Sequence, residues 1–184
     1  MIYIFTGNGK GKTTAAIGTG IRAVGAGYKV LMVQFMKVKE LSSEYNVLSK
    51  LENFDIESFG RKGFYLPQEE LEKNPELKEK GFKPFSKIDY QMANDGIEFV
   101  INAVINQTYD VIIMDELCVA LNYKLIEKNR VKNFLKEYKK DFHFIITGRY
   151  CPDWLTEIAD LITEMKEIKH PFHKGIPAQK GLDY

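Results

Sequence analysis

Short apolar runs alternate with longer stretches of helical spacing along the chain. Ile2–Phe5 is a β-rich run ending at Thr6, and Thr13–Ala26 repeats its apolar positions at helical intervals. Val30–Phe35 reads as a second strand, Glu44–Leu51 as a helix and Phe54–Phe59 as an alternating third strand. Gln91–Ile105 is amphipathic, and Val111–Met114 is an uninterrupted apolar run closed by Asp115 and Glu116. Val131–Tyr138 is helical, Phe142–Thr147 a strand, Trp154–Ala159 a short helix and Leu161–Ile168 a last, alternating strand. Brief apolar runs flanked by helices are what a parallel sheet covered on both faces requires. Strand–helix–strand repetition implies right-handed crossovers, so the predicted fold is α/β, a three-layer sandwich on a mostly parallel sheet.

Two stretches break this pattern. Residues 67–84 carry five Glu and four Lys with Pro and Gly punctuation, the composition of a solvated surface helix or an insertion loop. Pro171–Tyr184, with two Pro and two Gly, reads as irregular. At ~150 residues per domain, the 184 residues predict a single domain, 1–184, with a charged insertion at about 67–84. Lys plus Arg is 26 against 25 Asp plus Glu, a net charge of +1. So even a balance gives no global field for gripping nucleic acid or an anionic membrane. The 45% hydrophobic content is ample for a core. Cys118 and Cys151 make neither a disulfide framework nor a four-ligand zinc site and read as small buried hydrophobes. No run approaches the ~18 apolar residues of a membrane span, and the N-terminus lacks the basic flank and cleavage site of a signal peptide. A soluble, cytoplasmic protein is expected.

The first strand runs into Thr6–Thr14 and then a helix, which is the context a P-loop needs. Its glycines permit a turn whose N–H groups point at phosphate oxygens. The helix N-terminus adds its dipole, Lys12 a mobile cation, and the Thr13 hydroxyl a ligand for Mg²⁺. Thr6 stands where the usual pattern has its first glycine, so the loop is a variant. The expected fold is accordingly P-loop NTPase-like (RecA-like). At the end of a buried strand, Val111–Leu117 gives the matching Walker B pattern, whose carboxylates hold the metal directly or through water, or simply cap a strand. Thr147–Arg149 closes another strand on the same edge, where Arg149 either reaches polyphosphate or makes a surface salt bridge. No Asn/Thr-Lys-x-Asp motif is present, which argues against a regulatory GTPase. His143 reads as structural, and His170 and His173 as surface or packing residues.

Several segments together resemble the P-loop ATP:corrinoid adenosyltransferases, also called cob(I)alamin adenosyltransferases. They are Phe5–Ala16, Arg22–Gly25, Val33–Lys37, Asp115–Leu117, Ile146–Arg149, Ala159–Glu164, Lys169–Pro171 and the terminus Ala178–Tyr184. The resemblance implies transfer of the 5′-deoxyadenosyl group of ATP to the Co(I) centre of a corrinoid, with release of triphosphate. It also implies a reversed nucleotide, with C5′ exposed to the corrinoid and the γ-phosphate where other P-loop proteins hold the α-phosphate. Matched position by position, Gly7, Asn8, Gly9, Lys10, Gly11, Lys12, Thr13 and Thr14 would cradle the triphosphate. Thr13 with Glu116 would bind Mg²⁺, and Arg22 and Arg149 would help hold the nucleotide. Phe64, in Gly63–Leu66, would be the apolar wedge that displaces the lower ligand of the corrinoid; the alternative is a loop phenylalanine packed on the core. Relatives carry an aromatic residue where this chain has Leu66.

The cobalt supplies the nucleophile, so the protein needs no Ser, Cys or His of its own and no general base. Mg²⁺, Lys10, Lys12 and the loop amides would stabilise the departing triphosphate. The expected partners are ATP, a corrinoid, a flavoprotein reductase and a second copy of the chain, with no nucleic acid and no membrane. A P-loop small-molecule kinase or NTPase is the alternative, told apart by ADP as its product. A nucleotide-gated binding module lacks the basic, aromatic-studded stripe that nucleic acid would require.

Overall fold

Buried side chains alternate along the strands, and that alternation divides the core into two faces. The computed structural model describes residues 1–182. Its elements in chain order are β1 (Ile2–Thr6), α1 (Lys12–Gly25), β2 (Val30–Phe35), α2 (Tyr45–Leu48), β3 (Phe54–Phe59), β4 (Phe64–Leu66), α3 (Gln68–Lys73), α4 (Glu76–Glu79), β5 (Phe82–Pro84), α5 (Lys87–Ile105), β6 (Val111–Asp115), α6 (Leu117–Asn122), α7 (Lys128–Tyr138), β7 (His143–Thr147), α8 (Asp153–Thr156) and β8 (Leu161–Glu164). Six strands form one sheet in the order β3-β2-β6-β7-β1-β8, every neighbouring pair parallel. Along β2, Leu31, Val33 and Phe35 join a cluster with Ile97 and Val100 of α5 and Phe134 and Leu135 of α7. Val30 and Met32 face the other way, with Ala16 of α1 and Leu48 of α2. Helices on both faces of a parallel sheet make the predicted three-layer sandwich. Because all six strands run the same way, the chain leaves β1, β2, β6 and β7 at one edge. That edge is where such sheets bind ligands.

The boundaries differ from expectation for local reasons. Helix α5 starts at Lys87 instead of Gln91, since Ser86 and Asp89 form a capping box and the first turn carries no apolar stripe to announce it. Helix α7 starts at Lys128 instead of Val131, because the Glu127 carboxylate accepts from the Asn129 and Arg130 amides. The helices expected over Glu44–Leu51 and Trp154–Ala159 shrink to single turns, Tyr45–Leu48 and Asp153–Thr156. Strand β8 stops at Glu164 instead of Ile168, because the Met165 backbone is taken up by the loop after β1. All four β8 residues are exposed, as befits an edge strand with one neighbour. Helix α6 went unread, its Leu117–Leu121 run being too short for periodicity to separate helix from strand.

The charged stretch has more order than a solvated loop. Residues 67–84 hold α3, α4 and β5, and β5 pairs in parallel with β4 to make a second, two-stranded sheet. Leu71 of α3 is fully buried. After β8 the described chain has a 3-10 turn at Pro171–Lys174 and is otherwise irregular, as expected. Of the terminal segment Ala178–Tyr184, the last two residues lie outside the described residues.

Candidate active site

The loop between β1 and α1 is shaped by close backbone contact. A Cβ on Gly7 would lie 2.5 Å from the Met165 carbonyl oxygen, and Gly7 has φ +97°, so no other residue fits there without strain. The Met165 amide donates to Thr6 O at 2.8 Å, and the Gly9 amide to Met165 O at 2.6 Å. The segment after β8 thus pins the back of the loop, while its front opens on the N-terminus of α1. Lys12 is buried in the first turn of α1, and its Nζ donates to Gly9 O at 2.7 Å. Burial, then the Arg149 charge, lowers the affinity of that ammonium for its proton. A desolvated cation in the first turn of a helix is suited to an anionic ligand.

Three strand ends meet at Asp115, which is wholly buried. Its Oδ1 accepts from Thr147 Oγ1 at 2.6 Å and from Thr13 Oγ1 at 2.9 Å, and its Oδ2 accepts from Lys37 Nζ at 2.8 Å. Thr147 Oγ1 in turn accepts from the Glu116 amide at 3.0 Å. Burial pushes the Asp115 carboxyl up, but the Lys37 charge and these hydrogen bonds outweigh it and hold it below the usual range. Glu116 behaves oppositely: burial, then the Asp115 charge, raises it. Adjacent carboxylates so separated have different work to do.

Strain gathers on the same edge. Met36, Glu116 and Tyr150 each have a left-handed φ, 58°, 64° and 58°, just beyond the ends of β2, β6 and β7. Such conformations cost on the order of 1–3 kcal/mol each and persist only where packing enforces them. Gly60 leaves room for the Met36 turn, since a Cβ on it would sit 2.4–2.7 Å from the Met36 and Lys37 backbone, and the Met36 amide donates to Phe59 O at 2.8 Å.

Two cavities open at this edge. The larger, 760 Å³, is lined by Lys10 to Thr14, by Leu41 to Glu44 and by the tail residues Gly181 and Leu182, whose carbonyl accepts from Lys10 Nζ. The smaller, 320 Å³, is aromatic, walled by Phe35, Phe59, Tyr65, Phe82, Phe85 and Tyr123. They share a wall made of Met36, Lys37, Arg61, Gly63, Phe64 and Glu116.

The sequence-derived candidates distribute unevenly over this geometry. Lys10, Gly11, Lys12, Thr13 and Thr14 line the larger cavity, while Gly7, Asn8 and Gly9 form the loop behind it. Glu116 and Phe64 stand on the shared wall, and Arg149 lines the aromatic cavity. Arg22 lines neither: it is exposed ten residues along α1 from Lys12, ~15 Å at 1.5 Å per residue. Phe64 is 66% exposed and belongs to strand β4, stacked on Phe82 at 5.1 Å, so it is not packed on the core. Leu66 lines the aromatic cavity with Phe82, which supplies an aromatic ring there from the charged stretch. Cys118 is buried and Cys151 half-buried, the Cys151 thiol donating to Pro152 O at 3.9 Å. Residues that sequence reasoning left without a role are Lys37, Arg61, Tyr65 and Thr147. The usable signal for Lys37 was its place two residues beyond an apolar strand, at the edge where charge serves ligands.

Among the described residues no three or more His, Cys, Asp or Glu group into a metal site. Two oxygen donors, Thr13 and Glu116, line the larger cavity and make the sparse, hard set that suits Mg²⁺, which retains waters and takes phosphate oxygens. The donor set fits that ion. No described helix is long and apolar enough to cross a membrane.

The whole chain, residues 1–184, matches the family model described as ATP:corrinoid adenosyltransferase BtuR/CobO/CobP. A corrinoid adenosyltransferase of Escherichia coli (strain K12) is 34% identical over 185 residues, covering 100% of this chain and 85% of its own. One from Sinorhizobium sp is 33% identical over 186 residues, covering 100% of this chain and 80% of its own. The crystal structure of the flagellar accessory protein FlaH from Methanocaldococcus jannaschii aligns with a TM-score of 0.48 and 14% identity, over 89% of this chain and 69% of that one.

Proposed function

The chain belongs to the ATP:corrinoid adenosyltransferase family, and from that premise we propose how its two cavities divide the reaction. It is an enzyme that transfers the adenosyl group of ATP to a corrinoid. In our reading the larger cavity takes the triphosphate and the aromatic one receives the face of the corrinoid. The observation that carries this reading is the shared wall: C5′ and cobalt must meet, and Lys37, Phe64 and Glu116 border both cavities.

The chain's own groups then act as follows. The loop amides and Lys12 fix the triphosphate, and Lys10 closes on its outer side. Thr13 and Glu116 would hold Mg²⁺, which when bound supplies positive charge to the triphosphate; Asp115 orients Thr13 from behind. The nucleotide lies reversed, its C5′ toward the shared wall. Phe64 presents an exposed ring to the corrinoid, and Arg149 meets the substrates from the aromatic side. Arg22 lines neither cavity, so it would help hold the nucleotide away from the phosphate loop, within one chain or across a homodimer. We further propose that residues 67–84 belong to the same domain as a cover over the aromatic cavity. A flavoprotein would supply the electron that makes Co(I), in the cytoplasm.

The test is product analysis. Protein, Mg-ATP and chemically reduced cobalamin should give light-sensitive adenosylcobalamin and an equal amount of triphosphate. ADP as the nucleotide product would favour the small-molecule kinase reading instead.

A further inference from the structure

Lys37 is the cation that the adenosyl-transfer reading leaves unused. Three lysines line the larger cavity, Lys10, Lys12 and Lys37, and of these Lys37 alone also faces the aromatic one. Arg61 is the other cation on the shared wall, but it is committed. Its Nε and Nη2 donate to the two Asp89 oxygens at 2.7 and 2.6 Å, and its guanidinium lies 3.7 Å over the Tyr65 ring. Lys37 is held by Asp115 at 2.8 Å, with Glu44 Oε1 at 4.0 Å and Thr13 Oγ1 at 3.5 Å. Its ammonium therefore rests beside the two groups, Thr13 and Glu116, that would bind Mg²⁺. The left-handed Met36, whose amide donates to Phe59 O at 2.8 Å, sets the backbone that aims it there.

Charge balance says what a bound nucleotide would do to this arrangement. Without ligand, one ammonium offsets the Asp115 carboxylate. A divalent cation arriving with four phosphate charges places a second positive centre beside the same carboxylate, and the flexible lysine arm is the part that moves. The nearest new negative charge is the triphosphate, at the wall where C5′ lies.

We propose that Lys37 is a further catalytic residue, whose ammonium passes from Asp115 to the oxygen that parts from C5′. This rests on the adenosyl-transfer reading. In that step the cobalt(I) pair forms the Co–C5′ bond, and the C5′–O bond breaks with its pair left on the triphosphate oxygen. Cobalt becomes formally Co(III), no proton moves, and Lys37 keeps its protons while donating a hydrogen bond to the new charge. The interaction strengthens as the bond breaks, so it lowers the barrier more than it tightens ATP binding.

Lys37→Gln tests this, since an amide still donates to Asp115 but carries no charge. Three readouts are taken on the full chain: single-turnover rate with pre-reduced cob(I)alamin, dissociation constants of Mg-ATP and Mg-tripolyphosphate by calorimetry, and melting temperature. The expected result is a rate ~10²-fold lower with Mg-ATP affinity within about threefold, and tripolyphosphate affinity ~tenfold weaker. Lys37→Arg should restore part of the rate. Should Lys37→Gln be poorly folded, Asp115→Asn and Asp115→Asn/Lys37→Gln, where no buried carboxylate is left unpaired, are compared below the melting temperature of both; the double variant should then be ~10²-fold slower than the single one. An unchanged rate would overturn the proposal. So would equal losses of ATP and tripolyphosphate affinity that account for the rate, the mark of a residue that only orders Asp115. If the wild type makes no adenosylcobalamin, the functional reading falls with it; if it does and Lys37→Gln keeps its rate, only the role of Lys37 falls.

Discussion

The larger cavity takes its wall from the ends of the six-stranded sheet and the first turn of α1, whereas the aromatic cavity takes much of its wall from the small β4–β5 sheet. The first is organised by saturation. Asp115 is fully buried and accepts from three side chains, and the loop behind Lys12 is pinned to Met165 by backbone bonds. The second is organised by rings with free faces, of which Phe64 is two-thirds exposed. A rigid polar site suits a ligand whose charges are fixed in number and spacing. An open aromatic one suits a bulky partner that must arrive, lose a ligand and leave.

The contrast is broken most severely through Lys12. In the proposed site Lys12→Ala would remove a charge-assisted contact to the leaving group, so adenosylation should fall by at least ~10²-fold at saturating Mg-ATP. Near-normal turnover would detach the loop from the reaction. On the aromatic side the expected effect depends on the substrate. Phe64→Ala should cripple turnover from cob(II)alamin with a mild reductant, largely spare pre-reduced cob(I)alamin, and matter less for cobinamide, which lacks the lower nucleotide ligand. Because Phe64 packs on little besides Phe82, its loss should cost no more than about 1.5 kcal/mol of stability. Equal losses across the three substrates would remove it from the corrinoid face.

The strand ends separate chemistry from architecture on a smaller scale. Glu116→Gln should raise the Mg²⁺ concentration needed for half-maximal rate more than Asp115→Asn does. Asp115→Asn should instead lower stability by ~3–5 kcal/mol, since Lys37 and two hydroxyls lose the charge they converge on. A Mg²⁺ titration with the reverse order would exchange the two roles.

How much of this was legible in the sequence follows the same division. The proposed phosphate site is local: a strand, a glycine-rich turn and a helix start are consecutive residues, so the shape of the loop before α1 could be read from spacing. The aromatic cavity joins residues from Phe35 to Tyr150, and rings such as Phe35, Phe59 and Phe85 look like ordinary core or loop residues until the chain folds. Phe82 lies in a stretch whose Glu and Lys content masks it. Lys37 was visible only as a strand-end charge, because its partner Asp115 is 78 residues away. Arg22 is a matched position that lies outside both cavities.

The smallest predicted effect concerns the support of the aromatic wall. Burial pushes Asp89 up, but the Arg61 guanidinium and the Ser86 amide outweigh it and hold it below the ordinary carboxylate value. A lowered folded value gives stability that is present above the unfolded value and lost as pH falls through the folded one. Asp89→Asn should therefore be less stable than wild type near neutrality, by ~1–2 kcal/mol. The two unfolding curves should converge in acid below the ordinary Asp range. A gap that stays constant with pH would show that Arg61 is held by something other than the charge.

The central claim is that C5′ of ATP and the cobalt meet across the wall of Lys37, Phe64 and Glu116. Cob(II)alamin is paramagnetic and does not accept the adenosyl group, so its effect on the nuclear relaxation of bound Mg-ATP reports distances in the unreacted complex. The account predicts the strongest enhancement at the 5′-protons, then at the α-phosphorus, with the γ-phosphorus weakest. Strongest relaxation of the γ-phosphorus would place the other end of the nucleotide at the cobalt and contradict it.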